Sequence, residues 1–129
     1  MVFEHAVVVE AEAIDGNGHA NNVEFLRWMQ DAAIAHARAA GCTAAREAMG
    51  ATWVVRSHHI EYLRPAFLGE ALRVRTWVVD FRRVVSLRRY EVMRGPELLA
   101  KGETEWVFVD AETGRPRRMR CRNGPQPRL

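Results

Sequence analysis

The residues best suited to chemistry lie in one segment, Asp15–Asn22, between a strand-like stretch and a long apolar helix pattern. The segment joins an acidic residue, two glycines, a histidine and two asparagines. The first backbone N–H groups of a helix have no internal partner and lie at the positive end of its dipole, so they favour developing negative charge. A carboxylate beside such donors suits acyl transfer or ester cleavage. The alternative interpretation is a helix cap, with Asn21 as N-cap and Glu24 completing a capping-box-like pattern.

The elements that must position this segment follow from periodicity and from glycine and proline breaks. The pattern predicts one long, mostly buried helix at Val23–Ala40, ended by Gly41. The other predicted elements are a first strand at Phe3–Glu12, a short helix at Thr43–Met49, and strands at Thr52–Leu63, Ala71–Phe81, Val84–Arg94 and Leu99–Asp110. This order predicts an α+β fold in which a five-stranded antiparallel sheet wraps around one long central helix.

The whole chain, residues 1–129, is expected to be one domain, with a tail at 121–129 that frays. No signal peptide or apolar membrane span is found, and Cys42 and Cys121 are expected to be isolated thiols. These features favour a cytoplasmic location. The net charge of +3 comes from eighteen arginines and Lys101 against sixteen acidic residues. The arginine bias reflects either genome composition or a thermophilic host, or an anionic ligand such as a phosphorylated small molecule or nucleic acid.

Three segments in order resemble the hotdog-fold acyl-CoA thioesterases, in particular the 4-hydroxybenzoyl-CoA thioesterase-like family. They are Asp15–Trp28, which contains the Gly-His-Ala-Asn-Asn run, then Tyr62–Glu70, and finally Trp106–Asp110. The resemblance covers roughly residues 3 to 120 and implies the hotdog fold. Two positions depart from the family pattern: Ala13 stands where many members have a second acidic residue, and Ala20 replaces the usual valine. Because Asp15 is kept, we interpret Ala13 as a loss of local support for the site.

The resemblance implies a thioesterase that hydrolyses an acyl- or aryl-CoA to the free acid and coenzyme A. Asp15 corresponds to the family's catalytic aspartate, as general base or as nucleophile, and the backbone N–H of Asn22 is the oxyanion donor. Gly18 lets the backbone turn tightly and approach the ligand. His19 either bonds the substrate or orients Asp15, or it is a turn histidine packed against the helix start. No cofactor is expected, because coenzyme A is part of the substrate.

Several other arginines and histidines are candidates for binding phosphate or metal. The resemblance places Arg82 and Arg83 at the phosphates of coenzyme A, although a solvated hairpin is an equal alternative. His58 and His59 are adjacent in a strand and should point to opposite faces, so no metal site is expected. Arg88 and Arg89 should likewise lie on opposite faces, so that one of them could join the phosphate patch or a subunit contact. The basic tail is expected to serve solubility or an interface; it consists of Arg115, Arg117, Arg118 and Arg120.

An open five-stranded sheet leaves an unpaired edge, so we expect a homodimer with its sheets joined edge to edge and two equivalent sites at the interface. Whether two dimers form a homotetramer stays open. The alternative function is a non-catalytic acyl-CoA-binding hotdog module, and a hotdog dehydratase is a further possibility. Nucleic-acid binding is not favoured, because aromatic and basic residues do not interleave on one sheet face. The acyl group is not specified; aromatic residues that could line its pocket or belong to the core are Phe25, Trp28, Trp53 and Tyr62.

Overall fold

The computed structural model describes residues 2–118. Two helices and five strands make up this part of the chain, with one short 3-10 turn at Ala11–Ala13. In chain order they are β1 (Phe3–Val8), α1 (Asn22–Ala39), α2 (Cys42–Ala48), β2 (Ala51–Tyr62), β3 (Ala71–Arg82), β4 (Val85–Arg94) and β5 (Glu97–Asp110).

The strands form one antiparallel sheet in the order β1-β3-β4-β5-β2. The six-residue β1 and the twelve-residue β2 are its two edges. The register shifts at a bulge between Val55 and Ser57 in β2 and again between Val78 and Asp80 in β3. Such bulges bend a strand and increase its twist, which curves the sheet around the helix. The predicted five-stranded antiparallel sheet with one long helix is therefore confirmed.

Helix α1 begins and ends within one residue of the predicted bounds, at Asn22 and Ala39. The Asn21 side chain accepts a hydrogen bond from the backbone N–H of Val23 at 3.0 Å, and Gly41 adopts a left-handed φ of 81° just after the helix. The capping box does not form, because the backbone N–H of Asn21 donates to the carbonyl of Ala13 instead. One face of α1 packs on the sheet; its buried residues are Phe25, Trp28, Met29, Ala32, Ala33 and His36.

The sheet lies close to α1 at one strand position, where a larger residue would require the end of a methionine side chain to shift. A Cβ atom at Gly102 in β5 would lie 2.8 Å from the Sδ atom of Met29. The opposite side of α1 is open: Val23 and Ile34 are exposed. The helix is thus less buried than its apolar sequence predicts, and its uncovered apolar residues are available to a ligand or a second chain.

Three expectations need correction or fall outside the described residues. Strand β1 ends at Val8 rather than Glu12, because the next residue, Val9, bonds to the loop before β3. Cys42 is buried and disulfide-bonded rather than an isolated thiol, which removes that ground for a reducing location. Cys121 and the predicted fraying tail at 121–129 lie outside the described residues. Within residues 2–118 no helix is long and apolar enough to cross a membrane.

Candidate functional site

The segment singled out from the sequence folds into a closed loop in front of α1. An isolated antiparallel bridge joins Ile14 to Ala20. Inside it, the backbone N–H of Asp15 donates to the carbonyl of His19 at 2.9 Å, and the N–H of Gly18 donates back to the carbonyl of Asp15 at 3.1 Å. Gly18 has a φ of 84°, a left-handed conformation that residues with a Cβ atom rarely adopt. The loop therefore fixes where the Asp15 side chain emerges.

The Asp15 carboxylate is held by one hydrogen bond and remains in contact with solvent. Its Oδ1 atom accepts from the backbone N–H of Asn17 at 2.9 Å, and the side chain is 24% exposed. Nδ1 of His19 lies 3.9 Å from Oδ1, which is beyond hydrogen-bond distance. Within the described residues, Oδ2 of Asp15 has no hydrogen-bond donor. One carboxylate oxygen can therefore accept a proton or attack an electrophile.

The start of α1 supplies an unused donor close to this loop. No acceptor for the backbone N–H of Asn22 is found among residues 2–118. The carbonyl of Asn22 accepts from the Tyr62 hydroxyl at 3.2 Å, which ties the helix start to the end of β2. Because the backbone of Asn21 bonds to Ala13 and that of Ala20 bridges to Ile14, Asp15 and Asn22 belong to one hydrogen-bonded unit.

The second segment of the resemblance packs directly on the first. The backbone N–H of Ala20 donates to the carbonyl of Ala66 at 2.8 Å, and Ala66 is buried. The ring of Phe67 meets the ring of His19 edge-on at 6.5 Å. The two segments therefore form one wall, and His19 is a packed turn residue that still lies beside Asp15.

Exposed apolar side chains surround this wall. They come from the helix start and from the loop after β2, and they are Val23, Tyr62, Leu63, Phe67 and Leu68. A group of large apolar residues at the mouth of a polar site is typical of a ligand-binding or protein-binding surface. Sequence reasoning named Tyr62 as a possible pocket residue but missed the loop residues, whose only signal was their apolar character within a turn.

Arg82 and Arg83 do not meet Asp15 within one protomer. The Asp15 loop lies at the end of the sheet where β3 begins, whereas these arginines lie beyond the other end of β3. Twelve residues of strand span roughly 35 Å. Arg82 is 85% exposed and donates to Asp80 at 2.8 Å, and Arg83 has a φ of 54° in the β3–β4 turn. Both lie on the surface, where they could bind the anionic part of a ligand only if the catalytic loop came from another protomer.

His58 and His59 point to opposite faces of the sheet, as predicted. Nδ1 of His58 is 2.7 Å from Oγ1 of Thr104, and its Nε2 is 3.3 Å from the amide nitrogen of Gln30 in α1. Burial lowers the pKa of His58 below its usual value, so the ring is neutral near pH 7. No group of three or more metal-ligating side chains occurs among residues 2–118.

Arg88 and Arg89 also separate as predicted, but the inner one has a role that the sequence did not indicate. Arg89 pairs with Glu103 on the outer face at 2.8 Å. Arg88 is only 5% exposed, and its Nη1 donates to Nδ1 of His36 at 3.0 Å and to Oγ1 of Thr76 at 3.1 Å. Strand alternation shows that two neighbours face opposite ways, but not which of them faces the helix.

His36 must be neutral in this arrangement. A guanidinium can only donate, so Nδ1 of His36 accepts and the ring proton sits on Nε2. Burial, with the charge of Arg88 as a further cause, lowers the pKa of His36 to about 4. The ring also stacks on Phe3 at 4.9 Å. Neutral His36 therefore supplies no negative charge to balance Arg88.

The basic tail is partly structural. Arg117 donates through Nη1 to the carbonyl of Met49 and lies 3.5 Å from the Asp110 carboxylate, and its backbone N–H donates to Phe108. It therefore fastens the end of α2 to β5, which corrects the expectation that it serves only solubility or an interface. Arg115 and Arg118 are exposed, and Arg120 lies outside the described residues.

Comparison with known proteins gives one family and many structures. Residues 9–121 match the thioesterase-like superfamily. The chain is similar to a 1,4-dihydroxy-2-naphthoyl-CoA thioesterase from Synechocystis, at 17% identity over 93% of this chain and 90% of that one, with a TM-score of 0.83. It is similar to a DHNA-CoA thioesterase from Staphylococcus aureus, at 24% identity over 91% and 80%, with a TM-score of 0.84.

A third similar structure contains coenzyme A. It is a Staphylococcus aureus protein in complex with CoA, at 18% identity over 100% of this chain and 89% of that one, with a TM-score of 0.85. No curated protein matches the chain. These structural likenesses establish the fold that the resemblance implied.

Proposed function

The chain belongs to the thioesterase-like superfamily, and we propose that it hydrolyses the thioester of an acyl- or aryl-CoA to the free acid and coenzyme A. Membership supports thioester hydrolysis in general, and the proposal adds the substrate and the residues that act on it. One observation carries it: a single loop holds the partly exposed Asp15 carboxylate in the same hydrogen-bonded unit as the unpaired N–H of Asn22.

The chemistry needs both groups. As a general base, Asp15 takes a proton from water, and the oxygen of that water attacks the thioester carbonyl carbon. As a nucleophile, Asp15 attacks that carbon itself, the C–S bond breaks to leave a mixed anhydride, and water then cleaves the anhydride to the free acid and restores the carboxylate. Either route places negative charge on the carbonyl oxygen, and the N–H of Asn22 at the positive end of α1 donates to it. When this tetrahedral intermediate collapses, the C–S bond breaks, and coenzyme A leaves as the thiol after taking up a proton; in the nucleophilic route this happens before water attacks the anhydride.

Gly18 and His19 act on position rather than on the reacting atoms in this proposal. The left-handed Gly18 sets the path of the loop, and it leaves open space where a side chain would otherwise stand. His19 is 3.9 Å from the Asp15 carboxylate, so a small rotation brings it into hydrogen-bond distance. In that position it would orient the carboxylate or contact the bound substrate.

A homodimer joined through β2 would complete the site. β2 is the longer of the two edge strands and exposes Val54, and an edge strand presents backbone N–H and C=O groups that can pair with another chain. A two-fold axis through the middle of β2 sets the start of that strand beside the end of β2 in the partner. The hairpin with Arg82 and Arg83 then approaches the partner's Asp15 loop, where the two arginines can bind the phosphates of coenzyme A. A monomeric mass by light scattering at micromolar concentration would contradict this assembly.

The test of the function is a steady-state assay of the purified chain with a panel of acyl- and aryl-CoAs, in which the released thiol is measured. We expect turnover of at least one class, and loss of turnover in Asp15→Asn but not in Asp31→Asn. Asp31 is a matched control because it is an exposed aspartate on α1. No thiol release from any substrate would refute the proposal.

One observation favours the non-catalytic binding module as a second candidate. The hydrogen bond from the N–H of Asn17 to the Asp15 carboxylate is the kind that an aspartate makes in a purely structural turn. In that case the protein binds acyl-CoA without releasing thiol, and Asp15→Asn lowers the melting temperature instead. The same assay, with a binding measurement beside it, separates the two functions.

A further inference from the structure

A cavity of about 200 Å³ lies under the C-terminal half of α1, away from the Asp15 loop of the same protomer. Its walls are aromatic, from Trp53, Phe81 and Trp106, with polar groups from Arg46, Ser86 and Arg88. We call it the Arg88 cavity. Trp53 meets Phe81 edge-on at 5.9 Å, and both rings line the cavity together with Arg88.

The guanidinium of Arg88 faces this cavity with unused donors. All its hydrogen bonds to other residues come from Nη1. Within the described residues, no fully buried side-chain nitrogen or oxygen lacks a partner. Nε and Nη2 of Arg88 have no such partner, so neither atom is fully buried. Both therefore border open space, and the open space that Arg88 lines is the cavity.

No carboxylate in the described part of the chain compensates the charge of Arg88. Among residues 2–118 it forms no ion pair, whereas twelve other arginine or lysine contacts to carboxylates are present on the surface. The imidazole beside it is neutral, and burial lowers the pKa of Arg88 itself. A buried charge without a counter-ion is destabilising, so its presence calls for an anion that arrives with a ligand.

We propose that the Arg88 cavity binds a carboxylate at the far end of the acyl group, and that the substrates are CoA monothioesters of dicarboxylic acids. A guanidinium fork matches a carboxylate with two parallel hydrogen bonds, and the aromatic walls suit a short hydrocarbon segment. The cavity is smaller than the several hundred Å³ of a pocket for a whole ligand, so it fits the end of an acyl group and not a nucleotide.

This inference rests on the proposed function and on the β2 dimer. Ala33 and Ala37 of α1 line the cavity. Because position 33 lies about 16 Å along the helix from Asn22, the cavity is separated from the Asp15 loop of its own protomer. Thr52 and Trp53 at the start of β2 also line it, so the two-fold pairing of β2 brings the cavity beside the Asp15 loop of the partner. The acyl group would then run from one protomer's catalytic loop into the other protomer's cavity.

The test compares substrates of equal chain length. Glutaryl-, adipoyl- and suberoyl-CoA are each assayed against the monocarboxylic thioester with the same number of carbons. We expect kcat/KM to favour the dicarboxylic member of the best pair by at least tenfold in the wild-type protein. Arg88→Met should reduce that ratio at least tenfold, because it should lower kcat/KM far more for the dicarboxylic substrate than for the monocarboxylic one. Arg89→Met, a matched arginine on the outer face, should keep the wild-type ratio.

The melting temperature and two further measurements test the inference even if Arg88→Met does not fold. Arg88→Met should melt at the wild-type temperature or above it, because it removes an uncompensated buried charge. A large fall in melting temperature with an unchanged ratio of kcat/KM values would assign Arg88 a structural role and overturn the inference. Should Arg88→Met not fold, Arg88→Lys, which keeps the charge and loses the fork, must also lower the ratio. If no thioester is hydrolysed, the proposed function fails, and calorimetric titration with adipate against hexanoate decides this inference: equal binding of the two acids contradicts it.

Discussion

Lowering the pH should reduce the folding stability of this protein through the buried His36. The pKa of His36 lies at about 4 in the folded protein and near 6.5 in the unfolded chain, because burial and the Arg88 charge oppose protonation. Protonation would set a second cation against the guanidinium at 3.0 Å. The unfolded chain therefore binds this proton first, and the stability that neutral His36 contributes is present above pH 6.5 and is lost as pH falls toward 4.

The magnitude follows from the two pKa values. Each unit of difference corresponds to 1.36 kcal/mol, so full protonation of the unfolded chain costs the folded state about 3 kcal/mol. That is a large fraction of the stability of a small domain. The loss should be steepest between about pH 6 and pH 4, where only the unfolded histidine is charged.

The assay is urea unfolding at a fixed protein concentration across pH 4 to 8, since dimerisation makes apparent stability depend on concentration. His36→Gln keeps an acceptor for Arg88 and removes the titration, so it should flatten this part of the profile. His59→Gln, an exposed histidine on the outer face, is the control and should follow the wild type. If the wild-type and His36→Gln profiles run parallel, the reasoning about His36 is wrong.

Three further predictions concern the loop, the sheet and the coenzyme. Gly18→Ala should lower stability by about 1 kcal/mol and reduce turnover, because a Cβ atom disfavours its φ of 84°. Gly16→Ala in the same loop should be nearly neutral, and equal melting temperatures of the two variants would contradict this. Gly102→Ala should cost about 1 kcal/mol in urea unfolding, because its methyl group would lie 2.8 Å from a methionine sulfur of α1. Arg82→Ala combined with Arg83→Ala should raise KM for acyl-CoA about tenfold and leave KM for an acyl-pantetheine thioester unchanged, and equal effects would support the solvated hairpin.

Local chemistry made the elements predictable. The N-cap Asn21 and the left-handed Gly41 set the ends of α1, and both signals are contained in a few neighbouring residues. Strand alternation correctly separated His58 from His59 and Arg88 from Arg89. The end of β1 was missed because it depends on a hydrogen bond from Val9 to a loop some sixty residues away, which no local pattern reveals.

The site was predictable in its parts but not in its arrangement. The Asp15 loop was predicted from its residue types and the Tyr62–Glu70 segment from the family resemblance, and the structure brings them together. Arg82 was named as well, yet strand order places it at the other end of the sheet. The burial of Arg88 beside His36 depends on which face of β4 meets the helix, and that choice is made by the register of the whole sheet.

The most direct test of the central claim is the kcat of Asp15→Asn on the best acyl-CoA substrate. The substitution keeps the size of the side chain and its hydrogen bond to the loop while it removes the charge. If Asp15 acts on the reacting atoms, kcat falls on the order of 10²–10⁴-fold while KM changes little and the fold persists. A variant with near-normal kcat would contradict the catalytic role of Asp15 and, with it, the proposed mechanism.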